Sequence, residues 1–367
     1  MREIKEVPAL LNSNYFPSLD GFRALAVILV VTYHLALVVH SHVYYFFING
    51  PLGVDIFFVI SGFLITTLLL KEKVSTGSIS LRKFYFRRVL RIFPAAYSCL
   101  IVIIGISLVF GFAMDRVNLL GCFLYLTDFP LFGLHHTSWA TGHYWSLAIE
   151  EQYYLLFPFL LKTNQQVYTY VLLFILVVLP GYFIAASYFP GMDTPFLHFP
   201  AHFLIKFQGI AIGSLTSMLL FARILAPDKW TINGYFLTAL NILLIWAIFS
   251  SGYDPKLSVA SVFKNGLTSL LVAGLLLVNV FIPRKNIVYG LLNIRPMKYI
   301  GVMSYSIYIW HMLFTDEQYR PFPAWFYSRP FVYVPIFVAA FLSYTFIEKP
   351  FLRWKRRYYS GRTQMLR

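Results

Sequence analysis

Residues 18–39 read SLDGFRALAVILVVTYHLALVV. From Ala24 to Val39 the run is apolar except for Thr32, Tyr33 and His34. A membrane span takes about 20 mostly apolar residues, so this stretch is expected to be one. The first nineteen residues are mixed polar and no A-x-A-like site follows the run, which reads as a retained helix rather than a cleaved signal peptide. Arg23 and His34 lie within it, and a charge near the centre of a span costs at least about 2.5–3.5 kcal/mol. Eleven steps of 100° bring the two to within about 20° of whole turns, so they share one helix face, roughly 16 Å apart along the axis.

Composition extends this reading to the whole chain. The 367 residues are 59% hydrophobic, 19% aromatic and 12% charged, with a mean hydropathy of +0.67. Soluble domains carry about 25% charged residues, so a polytopic membrane protein is expected. The formal charge of +15 is spread between apolar runs, which excludes a soluble nucleic-acid binder. High hydrophobicity without low-complexity tracts excludes disorder. Cys99 and Cys122 make no disulfide framework and have no metal-ligand spacing, although a single bridge between them stays open.

Ten spans are expected, near 21–40, 53–70, 94–113, 145–161, 167–188, 202–222, 232–251, 259–282, 299–315 and 330–348. The fourth and ninth are short and polar. With ten spans and a cytoplasmic N-terminus, twenty-four of the thirty Lys and Arg residues fall on inside segments and four outside. That asymmetry obeys the positive-inside rule with both termini cytoplasmic. No stretch is long enough for a separate soluble domain, so 1–367 reads as one transmembrane domain, with a short cytoplasmic segment at 1–19 and a basic tail at 349–367. Residues Ile79–Ile92 interleave charge and aromatics, as a basic helix in the cytoplasmic interface would.

Other ionisable residues fall in apolar surroundings. Asp55 opens the second span, Glu150 and Glu151 lie on the fourth, and His311 ends the ninth. Each suits either a packing contact or a functional group. Glu151 points about 100° away from Glu150, so the two are not expected to face one cavity. His135, His136 and His143 have irregular spacing in an external loop, which argues against a metal site. Gly209 and Gly213 form a GxxxG, a helix-packing pattern. No G-x-S-x-G elbow, P-loop or dinucleotide fingerprint occurs. The chemistry available is buried histidine, carboxylate and arginine. On residue logic alone, His34 reads equally as a reactive imidazole or as a hydrogen-bonding partner for a neighbouring helix.

Six segments carry a resemblance. They are SLDGFRALAVILVVTYH (18–34), GVDIFFVISGFLI (53–65), FYFRRVLRIFPAAY (84–97), WSLAIEEQYYLLFP (145–158), IGVMSYSIYIWH (300–311) and FIEKPF (346–351). In this order and over nearly the full length, the chain resembles the acyltransferase-3 family of integral membrane O-acyltransferases; residues 165–295 are the unspecific part. The resemblance implies transfer of an acyl group, usually acetyl from cytoplasmic acetyl-CoA, to a hydroxyl of a carbohydrate or glycolipid. The acceptor it suggests is a surface glycan such as lipopolysaccharide O-antigen, or a lipid-linked saccharide, handled in a bacterial inner membrane.

By the same resemblance, the family's arginine–ten–histidine unit falls on Arg23 and His34, and its paired basic motif on Arg88 and Arg91. Arg23, Arg88 and Arg91 would bind the phosphates of CoA, because guanidinium forks suit phosphate oxygens. His34 would be the general base or would briefly carry the acetyl group, with Glu150 orienting it or holding the acceptor. Asp20, Asp55, Trp145, Tyr305 and His311 are the candidates to line the cavity. No metal, no permanently bound cofactor and no nucleic acid is expected. Some family members carry an added C-terminal esterase-like domain, which the sequence does not show, so a stand-alone enzyme is expected. The rival reading is a transporter or flippase for a polar or glycolipid substrate, which would also bury charge in its spans. Its weakness is that residues 1–188 and 189–367 show no evident repeat.

Overall fold

In a bilayer the backbone has no water to bond, so spanning segments must satisfy their own N–H and C=O groups as helices or closed barrels. A computed structural model of the chain describes residues 4, 6–13, 15–37, 49–132, 140–189, 191, 195–230, 232–251, 259–282, 286–315, 322–327 and 331–354. Among these, every regular element is helical. The helices are α1 (Pro17–Leu37), α2 (Gly50–Thr76), α3 (Leu81–Phe110), α4 (Arg116–Leu124), α5 (Tyr144–Thr163), α6 (Gln165–Tyr188), α7 (Pro195–Ile205) and α8 (Gln208–Phe221). They continue as α9 (Gly234–Ser251), α10 (Val259–Phe281), α11 (Ile287–Leu292), α12 (Arg295–Val302), α13 (Ser304–Trp310), α14 (Met312–Thr315) and α15 (Tyr333–Trp354). The protein is an all-α integral membrane protein.

Among the described residues, six helices (α1, α2, α3, α6, α10 and α15) are long and apolar enough to cross a membrane. A seventh crossing results if α7 and α8, bent by 55°, count as one span. The other three of the ten expected spans are helical but differ for local reasons. α5 holds Glu150, Glu151 and Lys162, α9 is short, and 299–315 is broken into α12, α13 and α14. The basic segment at 79–92 is no separate interfacial helix. It runs unbroken into α3, whose 30 residues are about 45 Å long, more than the roughly 30 Å hydrocarbon core.

Helix ends follow their sequence signals. Asn49 caps α2 by accepting from Leu52 N at 2.9 Å, with Pro51 in the first turn and Gly77 closing the helix at φ 78°. Asp115 caps α4 by accepting from Val117 N and Asn118 N, and Asn286 caps α11 by accepting from Tyr289 N.

The chain divides into two compact units. One is built from 1–36, 40–79 and 153–302, the other from 37–39, 80–152 and 303–367. In the first, α2 is the central helix, with 78% of its apolar stretch buried. It meets α8 almost backbone to backbone. A Cβ on Gly213 would lie 2.0 Å from Val59 O, and one on Gly62 would lie 1.9 Å from Ile210 O. The GxxxG of α8 therefore packs helices, as the small-residue pattern predicts. In the second unit, α15 has only 28% of its apolar stretch buried and presents Phe341 and Phe346 outward, as a lipid-facing helix would. Cys99 and Cys122 are both free, buried thiols.

Candidate functional site

In the first unit, α1 carries Asp20, Arg23 and His34 on one uninterrupted helix. His34 is half-buried, and its Nδ1 lies 2.9 Å from Val30 O. A carbonyl oxygen can only accept, so Nδ1 carries the proton and Nε2 presents its lone pair. The neighbouring Tyr33 ring makes an edge contact with His34 at 5.4 Å between centroids. Tyr33 also lies where a Cβ on Gly50 would sit, 2.4 Å from its ring, so this glycine lets α2 begin against α1.

Asp20, buried at 7% exposure, binds two partners. Its Oδ2 accepts from Tyr15 Oη at 2.9 Å, and its Oδ1 from Arg23 Nη1 at 3.3 Å. Tyr15 lies outside the spans, and its phenol is pushed up from 10.0 to about 12, first by burial and then by the hydrogen bond and charge of Asp20. Lys71 steadies this segment by donating to Ser13 O at 2.8 Å and lying over Phe16. Two glycines bring the start of α1 against the segment around α12. A Cβ on Gly301 would lie 1.9 Å from Asp20 O, and one on Gly21 would lie 2.1 Å from Leu292 O. Beside that contact is an open cavity of about 250 Å³ lined by Tyr15, Asp20, Arg295, Lys298, Tyr299 and Val302.

Asp55 is fully buried on α2, where its Oδ1 accepts from Ser269 Oγ of α10 at 2.7 Å. The missing side chain of Gly209 makes room for that oxygen, since a Cβ there would lie 2.5 Å from it.

The second unit holds the remaining sequence candidates. Arg88 is half-buried on α3, lies over the Phe84 ring at 5.6 Å, and acts electrostatically on Glu151. Arg91 is exposed and acts in the same way on Glu348. Glu348 in turn accepts a hydrogen bond from Ser306 Oγ. Glu150 and Trp145 are half-buried on α5, and Tyr305 Oη donates to Ile92 O at 2.7 Å. His311 is fully buried. Its Nδ1 donates to Tyr308 O at 2.6 Å, which leaves Nε2 as its basic nitrogen, the same tautomer as His34.

His143 lies in the turn just before α5 and is buried, with its ring 5.3 Å from that of His311 and 5.4 Å from that of Tyr308. Ser146 shares a hydrogen bond with Tyr308 Oη and completes this cluster. His135 and His136 lie outside the described residues.

The structure thus joins Asp20 with Arg23, while Arg88 and Arg91 act electrostatically on Glu151 and Glu348. His34 and Glu150 belong to different units. Sequence reasoning passed over Tyr15, Arg295, Lys298, His143, Ser146, Tyr308 and Glu348. Glu348 lay within a quoted motif, and its depth in an apolar run was the signal that could have marked it. For Arg295 and Lys298, the basic pair beside GVMSYS was the only cue.

Comparison with known proteins converges on one class. The chain is 30% identical over 363 residues to the peptidoglycan O-acetyltransferase OatA of Listeria monocytogenes, covering 92% of this chain and 56% of that protein. It is 30% identical over 367 residues to the putative peptidoglycan O-acetyltransferase YrhL of Bacillus subtilis, covering 92% and 55%. With the O-acetyltransferase OatA of Staphylococcus aureus it shares 28% identity over 376 residues, covering 95% and 59%. The chain therefore spans little more than half the length of these relatives. No solved structure matches it. Residues 16–348, which include every motif segment but the last three residues of the final one, match the acyltransferase domain of the acyltransferase-3 family, and the chain belongs to that family.

Proposed function

We propose that this chain is a membrane O-acetyltransferase that moves acetyl from acetyl-CoA, supplied on the cytoplasmic side, to a hydroxyl of a cell-envelope glycan. The observation that carries the reading is the fixed tautomer of His34, within a segment that matches the family. An imidazole whose Nδ1–H is held by a helix carbonyl keeps Nε2 ready to accept a proton, the service a carboxylate gives a catalytic histidine elsewhere.

In the direct route, His34 Nε2 takes the proton of the acceptor hydroxyl as its oxygen attacks the thioester carbonyl. The C–S bond then breaks, and the imidazolium returns the proton to the CoA thiolate. In the covalent route, Nε2 attacks first and releases CoA, and the hydroxyl then takes acetyl from the imidazole. Arg23, Arg88 and Arg91 bind donor phosphates, and Glu150 holds the acceptor. The acceptor we favour is peptidoglycan, because the relatives from Listeria and Bacillus carry that word in their names. The setting is a bacterial cytoplasmic membrane, with ten crossings, both chain ends inside and residues 1–367 acting as one domain.

The test is radiolabelled acetyl transfer from acetyl-CoA in membranes that express the chain, with peptidoglycan, lipopolysaccharide and lipid-linked saccharide separated before counting. Label is expected in the peptidoglycan fraction with wild type and not with His34→Ala. Label in another fraction, lost in the same variant, would replace the acceptor while keeping the enzyme. Equal transfer by His34→Ala would sink the catalytic assignment.

A further inference from the structure

We propose that Arg295 and Lys298, rimmed by Tyr15, form a phosphate-binding subsite beside Arg23 that holds phosphate groups of the acyl donor. The inference rests on the donor reading above and adds residues to it.

Charge comes first. The cavity at the start of α1 is bordered by Asp20, Arg295 and Lys298, and Asp20 is matched by Arg23. That leaves two positive charges facing one cavity. Among the described residues, neither the Arg295 nor the Lys298 side chain has a hydrogen bond or salt bridge to the protein. Arg223, by contrast, pairs with Asp228 at 3.0 Å. Two unmatched cations sharing a cavity select an anion with several acceptor oxygens, and a guanidinium beside an ammonium suits phosphate.

Size and placement narrow the ligand. At about 250 Å³ the cavity lies below the roughly 300–1,000 Å³ of pockets that enclose a drug-sized molecule. It therefore fits one end of a longer ligand, a phosphate group or two, with the remainder outside. Tyr15 and the exposed Tyr299 supply aromatic faces on its rim for a flat ring attached to those phosphates. The phenol of Tyr15 stays protonated through the physiological range and is held toward Asp20, so it adds no negative charge to the site. The backbone contacts at Gly21 and Gly301 fix the cavity's geometry, because no side chain intervenes between the start of α1 and the segment that carries Arg295 and Lys298.

The charge asymmetry of the sequence puts Arg23, Arg295 and Lys298 on the cytoplasmic face, where a soluble phosphorylated donor arrives. An anionic lipid headgroup shares the same phosphate chemistry. The experiment separates the two sources.

The full chain, purified in lipid-free maltoside micelles, is titrated with CoA, and separately with phosphatidylglycerol added to the micelles. Wild type is compared with the double variant Arg295→Gln/Lys298→Gln, and with Arg223→Gln as a charge control outside the cavity. CoA binding is expected to weaken by about 10- to 100-fold in the double variant and to hold in Arg223→Gln, as for loss of two charge-assisted contacts. Should the double variant not elute as a single species, the two single variants are each expected to weaken binding by about 3- to 10-fold.

Equal CoA affinity in wild type and variants overturns the subsite. Loss of phosphatidylglycerol binding with CoA binding intact overturns the donor assignment in favour of a headgroup. Wild type that binds neither probe overturns both. The enzymatic reading is tested apart from this. Wild type that transfers acetyl while the double variant keeps its KM for acetyl-CoA removes the subsite alone. CoA binding lost in the double variant, with no transfer by wild type, keeps the subsite and removes the enzyme.

Discussion

His34 donates its Nδ1–H to the carbonyl of Val30, one turn earlier on α1, at 2.9 Å. The bond costs the helix little, because that carbonyl keeps a second lone pair for its own ladder. What it provides is a fixed proton position. The imidazole has one tautomer, with Nε2 as its basic nitrogen. Substituting His34 by Ala or Gln is expected to lower kcat by about 10²- to 10⁴-fold with little change in KM for acetyl-CoA. Side-chain ¹⁵N shifts of His34 would check the tautomer directly. A protonated Nε2 with a bare Nδ1 would contradict it.

Asp20 accepts from Tyr15 and Arg23 at once, so its charge should be felt by the phenol. Asp20→Asn keeps the shape and removes the charge, and Tyr15 is expected to titrate closer to 10.0 than to about 12, with burial retaining part of the shift. The sign for stability follows from linkage. A phenol whose folded value is raised favours the folded state below about pH 10 and loses that contribution as pH rises through about 12. The loss of stability between about pH 10 and pH 12 should therefore be larger in wild type than in Asp20→Asn. Difference titration against Tyr15→Phe isolates the phenol.

The closeness of α2 and α8 can be tested with one methyl group. Gly213→Ala would place a carbon 2.0 Å from Val59 O, and relief requires the helices to part. A loss of about 1–3 kcal/mol is expected, typical of overpacking. Gly105→Ala on α3 meets nothing within 4 Å and should be neutral or stabilising by about 0.5–1 kcal/mol. Parallel thermal unfolding of the two purified variants checks both. Equal midpoints would show that α2 and α8 do not touch as described.

These residues also mark what the sequence could reveal. Spans such as α2 and α10 were legible because a bilayer demands about 20 apolar residues wherever it is crossed. α5 and the broken stretch at 299–315 were less so, since their polar residues face protein and weaken the apolar signal. Periodicity placed Arg23 and His34 on one face because it reports directions within a helix. It could not bring Arg295 to the start of α1, a contact set by Gly301 meeting the backbone of Asp20 more than 250 residues away in sequence. His143 does lie in the turn before α5, as the sequence suggests, but nothing local indicates that it is buried against His311. Glu151 was set aside for pointing away from Glu150. That direction is correct within α5, yet Glu150 is still the larger charge that Glu151 feels, and Arg88 of α3 acts on it in the opposite sense.

The Arg88–Glu151 relationship separates a donor-binding arginine from a merely structural one. If Arg88 binds a donor phosphate, Glu151 competes for the same guanidinium. An interaction of about 0.5–1 kcal/mol, usual for a partly exposed pair, converts to a two- to fivefold effect. Glu151→Gln is then expected to lower the KM for acetyl-CoA by about that factor, and Arg88→Ala to raise KM by tenfold or more with kcat largely kept. Arg88→Lys should recover only part of the loss, because an ammonium keeps the charge and loses the fork. The measurement is a KM and kcat series across the three variants, with elution profile and thermal midpoint recorded for each. If Arg88 only anchors α5, Arg88→Ala and Glu151→Gln should lower the midpoint together and leave KM unmoved. Opposite movement of KM in the two carries the binding role.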